Sequence, residues 1–261
     1  MYQKKPRCVH DDHWSFNTQS STQWDGLRHF GYQAARRFYN DTTLEDIAGT
    51  SDKARSRPNI LGIHNFERKG IVGRGILIDF ARWRTTGPGR DDPEVQAFQT
   101  FTTCPIRLSW LKSILEYQNT KPRFGDILLI RSGYFPAYHA LTNSQIESLQ
   151  ALHPPNLGGV EQTDDMLEWI WTNFSAVAAD HPAFEQWPTP HQPGLKGEND
   201  VGWSMHEVLL GGWGCPIGEL FELEALSKEC EKQGRWSFFF TSEVVHVPGG
   251  VASPPNALAI F

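Results

Sequence analysis

The stretch QSSTQWDGLRHF, residues 19–30, sets an acid, Asp25, and a histidine, His29, four residues apart, with Gln19 and Gln23 ahead of them. Both glutamines stand at spacings where a metal centre would use imidazoles. The segment is therefore a metal centre, an altered metal centre or a polar surface loop, and the rest of the chain has to decide between them. Taken alone, a carboxylate and an imidazole at this spacing form a weak motif.

Working outward, the length of 261 residues suits one α/β domain over 1–261. Such a chain can bury most of the surface it exposes when unfolded, so it needs no covalent staples. The net charge of −6 is spread without a long basic run, which argues against nucleic acid and against an anionic membrane as partners. Cys8, Cys104, Cys215 and Cys230 form no CxxC pair and fit no zinc ribbon, so free thiols in a reducing compartment are expected. The N-terminus has no apolar signal core and the chain has no run of 18 apolar residues, so a cytoplasmic protein is expected.

GRGILIDF (73–80), GDILLIRSG (125–133), SAVAAD (175–180) and RWSFFFTSEV (235–244) read as short buried strands. Helical patterns occupy 92–101, 106–118, 143–152 and 164–174, the last behind the N-cap candidate Thr163. Residues 216–234 open on Pro and close on Gly, which predicts one more helix. Interleaved strands and helices give an α/β fold with a mixed sheet. Segments 184–198 and 247–256 read as ordered loops. Ten Trp and sixteen Phe mostly fill a core, but Trp14, Phe16, Trp24, Phe30, Trp203 and Trp213 adjoin polar candidates and could wall a pocket for a flat ligand.

Several enzyme classes drop out. There is no GxSxG elbow and no Walker sequence, and GIVGRG (70–75) leads into a strand, not a helix. HEVLL (206–210) starts like a zinc-protease motif but has Leu210 where the second histidine belongs.

Residues 19–29 resemble the signature H-x-G-T-H-x-D-x-P-x-H of the cyclase family, which includes arylformamidases and isatin hydrolases. Three more segments resemble that family in the same order: GRGILIDFAR (73–82), FGDILLIRSGYF (124–135) and HEVLLGGWGCPIGEL (206–220). QWDGLRH, ADHPAFEQWP (179–188) and the C-terminal tail look closest to fungal members. The resemblance implies a barrel-like core of the swivelling β/α type with surrounding helices. It implies a metal site, zinc or manganese, with Asp25, His206 and Glu219 as ligands and His29 as the general acid/base. Gln19 and Gln23 stand where the family has histidines, Ser21 replaces a glycine and Leu27 a proline. Only eighteen residues precede Gln19, fewer than is usual, so a missing first strand would leave a sheet edge exposed.

Zinc prefers imidazole and thiolate, whereas an amide oxygen suits harder ions. Asp25, His206 and Glu219, with Gln23 as a further donor, are therefore expected to hold Mn²⁺ or Mg²⁺ better than Zn²⁺, or to hold no metal. Substrate contacts are assigned to Gln19, Gln23, Trp24, Arg28, His64 and Trp203, and catalysis to His29 with Asp25. His181, in a loop after a strand, is a weaker candidate. The expected activity is hydrolysis of a C–N or lactone bond in a small aromatic metabolite by a homodimer. The alternatives are a metal-independent cyclase, isomerase or dehydratase of a fungal secondary pathway, and a ligand-binding member without turnover.

Overall fold

The computed structural model describes residues 2–189 and 203–261. Eight strands form one sheet, in chain order β1 (Gln23–Asp25), β2 (Ile71–Asp79), β3 (Asp126–Arg131) and β4 (Phe174–Ala179). They continue as β5 (Ile217–Glu219), β6 (Ser237–Ser242), β7 (Ala252–Ser253) and β8 (Ala257–Ile260). The order in space is β7-β1-β5-β4-β3-β2-β6-β8. The central strands β2 to β5 pair in parallel and the outer pairs are antiparallel, as a mixed sheet requires.

Parallel neighbours need crossovers, and helices supply them. Helices α1 (Phe80–Thr85) and α2 (Leu108–Tyr117) lie between β2 and β3 in sequence. Helices α3 (Tyr134–His139), α4 (Asn143–Gln150) and α5 (Asp164–Asn173) lie between β3 and β4. Helix α6 (Glu224–Gln233) follows β5. The Thr163 side chain accepts a hydrogen bond from Met166 N at 3.3 Å, so the expected cap of α5 is in place.

Both faces of the sheet centre are covered, which is why the central strands read as nearly continuous apolar runs. On one face Ile76, Ile78, Leu128, Ile130, Val177 and Ile217 pack with residues of α2 and α5. On the other, Leu77, Ile127, Leu129, Ala176 and Ala178 pack with Trp24. Four strands separate β1 from β6, yet the Trp24 indole donates to Ser242 Oγ at 2.8 Å and lies 6.4 Å from the Phe240 ring. The sheet is therefore curled into a half-barrel. Gly218 sits opposite Trp24 in the β1–β5 register, and a Cβ there would come within 2.7 Å of Ala178 and Phe221. The absent side chain leaves room for the indole.

Three expectations are corrected. Residues 216–219 are not helical: Pro216 O accepts from Val177 N at 3.2 Å and β5 follows, buried between β1 and β4. The helix begins only at Glu224, although it does end on Gly234 in the left-handed region (φ 59°). Within 92–101 only Pro93–Gln96 is helical, because the threonine-rich run that follows favours a turn. The edge beside β1 is not bare, since β7 from the C-terminal tail pairs with it, Ala252 opposite Asp25 and Ser253 opposite Trp24. Part of the expected loop 184–198 lies outside the described residues.

Candidate active site

Alternation along β1 explains where the polar residues go. Trp24 points into the half-barrel, so Gln23 and Asp25 point to the opposite face, and Glu219 lies directly across from Gln23 on β5. Gln23 Nε2 donates to Glu219 Oε2 at 2.9 Å and to Gln19 Oε1 at 3.2 Å. Gln19 Nε2 donates to Asp25 Oδ1 at 2.6 Å. The chain then turns tightly at Gly26, where a Cβ would meet Ile63 and Val251 O at 2.8 Å. That turn brings His29 Nε2 to 3.8 Å from Asp25 Oδ2.

His206 opens a π-helical turn, Glu207–Trp213, and is held from two sides. Its Nδ1 is 2.7 Å from Glu185 Oε2 and its backbone N donates to Glu185 Oε1 at 3.1 Å. Its Nε2 is 3.1 Å from Glu219 Oε1. The His29 and His206 rings stand 6.0 Å apart, with Phe30 5.5 Å from His206. The loop carrying Glu185 is anchored by Asp180, which accepts from Ser132 N and Oγ, Gly133 N and Tyr134 N at 2.6–3.1 Å.

Burial dominates the electrostatics. It lowers the pKa of His29, against the pull of Asp25 and with help from His206, so this imidazole is neutral near pH 7. Burial would also lower that of His206, but Glu185 and Glu219 raise it well above the ordinary value. Glu219 is pushed up to about 7 by burial, with Asp25 adding to the shift and the His206 hydrogen bond opposing it. Glu185 would be raised by burial, yet its contacts with His206 bring it below the ordinary carboxylate range.

Buried carboxylates outnumber the cations that face them. Asp25, Glu185 and Glu219 are all buried, while Arg28 spends its guanidinium on backbone carbonyls. Asp25 Oδ2 and Gln23 Oε1 are buried acceptors with no hydrogen-bond partner among the described residues. Asp25, His29 and His206 each present a ligand atom, all within 4.8 Å of one another. One carboxylate and two imidazoles fit a divalent transition-metal cation. The Glu185–His206 contact matches the usual support of a ligating imidazole, which donates from one ring nitrogen and ligates with the other.

The family model "Cyclase" matches residues 1–186. The chain belongs to the cyclase family. A crystal structure described as a novel cyclase is 29% identical, with a TM-score of 0.76, and covers 100% of this chain and 75% of the other. Isatin hydrolase A from Ralstonia solanacearum is 13% identical with a TM-score of 0.58, covering 97% of this chain and 76% of the other. Isatin hydrolase A from Labrenzia aggregata, bound to benzyl benzoate, is 11% identical with a TM-score of 0.56, covering 94% and 75%. At those identities the two isatin hydrolases share the fold. No curated protein matches the chain.

In this cyclase-family protein the structure brings together Gln19, Gln23, Asp25, His29, His206 and Glu219. Four other assigned residues go elsewhere. Trp24 is fully buried in the half-barrel, facing away from the polar cluster. Arg28 donates to Ile60 O, Gly249 O and Pro58 O at 2.5, 2.8 and 2.7 Å, and so pins two loops together. His64 accepts from Gly249 N at 3.2 Å and packs edge-on against His246. Trp203 is 55% exposed and packs on Tyr32. Trp14 and Phe16 face solvent, and Trp213 packs against Trp171. His181 is completely buried, with Nδ1 on Ala183 O and no partner for Nε2 among the described residues. Sequence reasoning missed Glu185 and Asp180. Both lie in ADHPAFEQWP, where acids follow a strand end, and that was the available signal.

Proposed function

We propose that this cyclase-family enzyme is a hydrolase that cleaves a C–N bond of an amide, formamide or cyclic imide, or the C–O bond of a lactone, in a small aromatic molecule. One observation carries the reading: a neutral, half-buried His29 stands beside the unpartnered Oδ2 of a buried Asp25, next to two further buried carboxylates. Neutral His29 takes the proton of water as its oxygen adds to the substrate carbonyl. It then returns that proton to the leaving nitrogen or oxygen as the old bond breaks. Asp25, at 3.8 Å, stabilises the imidazolium between those two steps. Phe30 packs edge-on against the His206 ring. Asp25, His206, Glu219 and Gln23 would hold the divalent cation, Mn²⁺ before Zn²⁺, whose contribution is Lewis-acid polarisation of the carbonyl and activation of water.

A metal-independent cyclisation, isomerisation or dehydration is the second reading. It is favoured by the Gln19 and Gln23 amide groups, which occupy carboxylate oxygens that a cation would otherwise attract. For either reading we place the enzyme in the cytosol of a fungal secondary pathway, as a homodimer. The apolar outer face formed by Val72, Phe239, Leu258 and Ile260 supports the dimer. The test is turnover on a panel of formamides, cyclic imides and aryl lactones, with metal content measured in the same sample. Turnover with stoichiometric metal supports the hydrolase, turnover without metal supports the second reading, and no turnover on any substrate rejects the hydrolase.

A further inference from the structure

Between β3 and β4 the chain forms α3 and α4, and neither helix contains a single buried residue. A helix of eight residues is marginal in water and needs its apolar side packed. Local signals do start α4, since Thr142 and Gln145 make a reciprocal capping box. Ile146 and Leu149 in α4, and Leu152 just beyond it, then recur every third position along one side. Among the described residues these side chains join neither core cluster, and they line a cavity of about 240 Å³ instead. Tyr134, Tyr138 and Phe101 line the same cavity. The two tyrosine rings stack at 5.9 Å, and Phe101 stands edge-on to Tyr134 at 5.7 Å. Tyr134 is held in place from β4, because its backbone N donates to Asp180 Oδ2 at 3.1 Å.

The lining sets the chemistry of an occupant. Among the described residues no Asp, Glu, Lys, Arg or His borders the cavity, and besides the tyrosines its polar side chains are the amides of Gln150 and Asn156. Burial pushes the Tyr134 hydroxyl up to about 12, with Tyr138 and Asp180 adding to the shift, so it stays neutral. A carboxylate or an ammonium entering here would lose hydration and gain no counter-charge. An uncharged ring would keep aromatic and aliphatic contacts on its faces, with an amide for one polar substituent. A dry apolar cavity of about 150 Å³ is enough for benzene. The larger space here suits one ring or two fused rings.

We propose that this cavity is a binding site for a small uncharged aromatic molecule, separate from the centre at Asp25 and His29. Pro182 borders the cavity, whereas Glu185, three residues on, holds His206, so an occupant rests against the segment that supports the polar cluster. The proposal does not depend on the hydrolytic reading, and either can fail alone.

The test titrates indole and indole-2-carboxylate calorimetrically into the full chain at pH 7. The proteins are wild type, Leu149→Trp and Ile146→Trp, which fill the cavity from α4, and His29→Ala, which alters the polar cluster. Wild type should bind one indole with Kd between about 10 μM and 1 mM. Indole-2-carboxylate should bind at least about tenfold more weakly, because its charge would be buried unpaired. Each tryptophan variant should lose at least about tenfold in indole affinity while keeping or raising the melting temperature, since the new ring occupies open space. His29→Ala should bind indole as wild type does. Absence of indole binding at about 1 mM would overturn the proposal. So would equal binding of the carboxylate, unchanged binding in both tryptophan variants, or loss of binding in His29→Ala. If both tryptophan variants unfold or melt well below wild type, the space is already filled, and the proposal falls on that result too.

Discussion

Removing the Glu185 carboxylate should damage both the stability and the ion affinity of this protein. Glu185 has 0% exposure, and its two oxygens hold His206 at the backbone N (3.1 Å) and at Nδ1 (2.7 Å). In Glu185→Ala both contacts vanish and His206 is left buried against Glu219 alone. Breaking a buried charged pair from one side typically costs about 3–5 kcal/mol. At roughly 2–4 °C per kcal/mol for a chain approaching this size, the melting temperature should fall on the order of 10 °C. Glu185→Gln keeps an acceptor for Nδ1–H and should lose less. The imidazole would also lose the group that fixes its tautomer, so Mn²⁺ affinity should fall about 10–100-fold in Glu185→Ala. The assays are urea unfolding at pH 7 and calorimetric titration, with the exposed Glu116→Gln as a control expected to stay within about 0.5 kcal/mol of wild type. A Glu185→Ala protein within about 1 kcal/mol of wild type and with unchanged Mn²⁺ affinity would refute the reasoning.

Trp24→Ala should cost about 3–5 kcal/mol by opening a cavity in the half-barrel and removing the hydrogen bond to Ser242, read by denaturant unfolding; a loss under about 1 kcal/mol would show that the core closes without the indole. Arg28→Ala should destabilise on the order of 2 kcal/mol by freeing the Pro58–Ile60 and Gly249 loops, yet leave KM for any substrate unchanged; a large rise in KM at unaltered stability would return Arg28 to the binding site. The pKa of His29 is held below its usual value by burial, so turnover should persist at pH 6.5 and fall only at more acidic pH, as the base becomes protonated. An acid limb centred above pH 7 would contradict that assignment. Light scattering at micromolar concentration should report a dimer, and a monomer mass would remove the proposed assembly.

The central strands were legible because burial on both faces writes long apolar runs that few other structures produce, and β2, β3 and β4 lie where those runs are, while β6 was legible from its aromatic run although its outer face is exposed at Phe239. β5 and β7 were not. Three residues, Ile217–Glu219, carry too little periodicity to outweigh a Pro-to-Gly frame that looks helical, and Ala252–Ser253 is a strand only because β1 needs a partner. Site residues divide the same way. Asp25, His29, His206 and Glu219 converge, although they lie far apart in sequence and motif resemblance was the main guide. Trp24 was misplaced because proximity in sequence says nothing about strand face until the register is known. Glu185 was missed because its role is to hold another residue, and that relation exists only in three dimensions.

The central claim is that His29 moves the proton in hydrolysis at this centre. The most direct measurement is turnover by wild type, His29→Ala and His29→Gln on whichever formamide, imide or lactone wild type cleaves, with fold and Mn²⁺ content matched across the three. The account predicts a loss of about 10²–10⁴-fold in kcat for both variants, together with loss of the acid limb of the pH profile. Variants that retain kcat within a few-fold of wild type, or that keep the same acid limb, would contradict it.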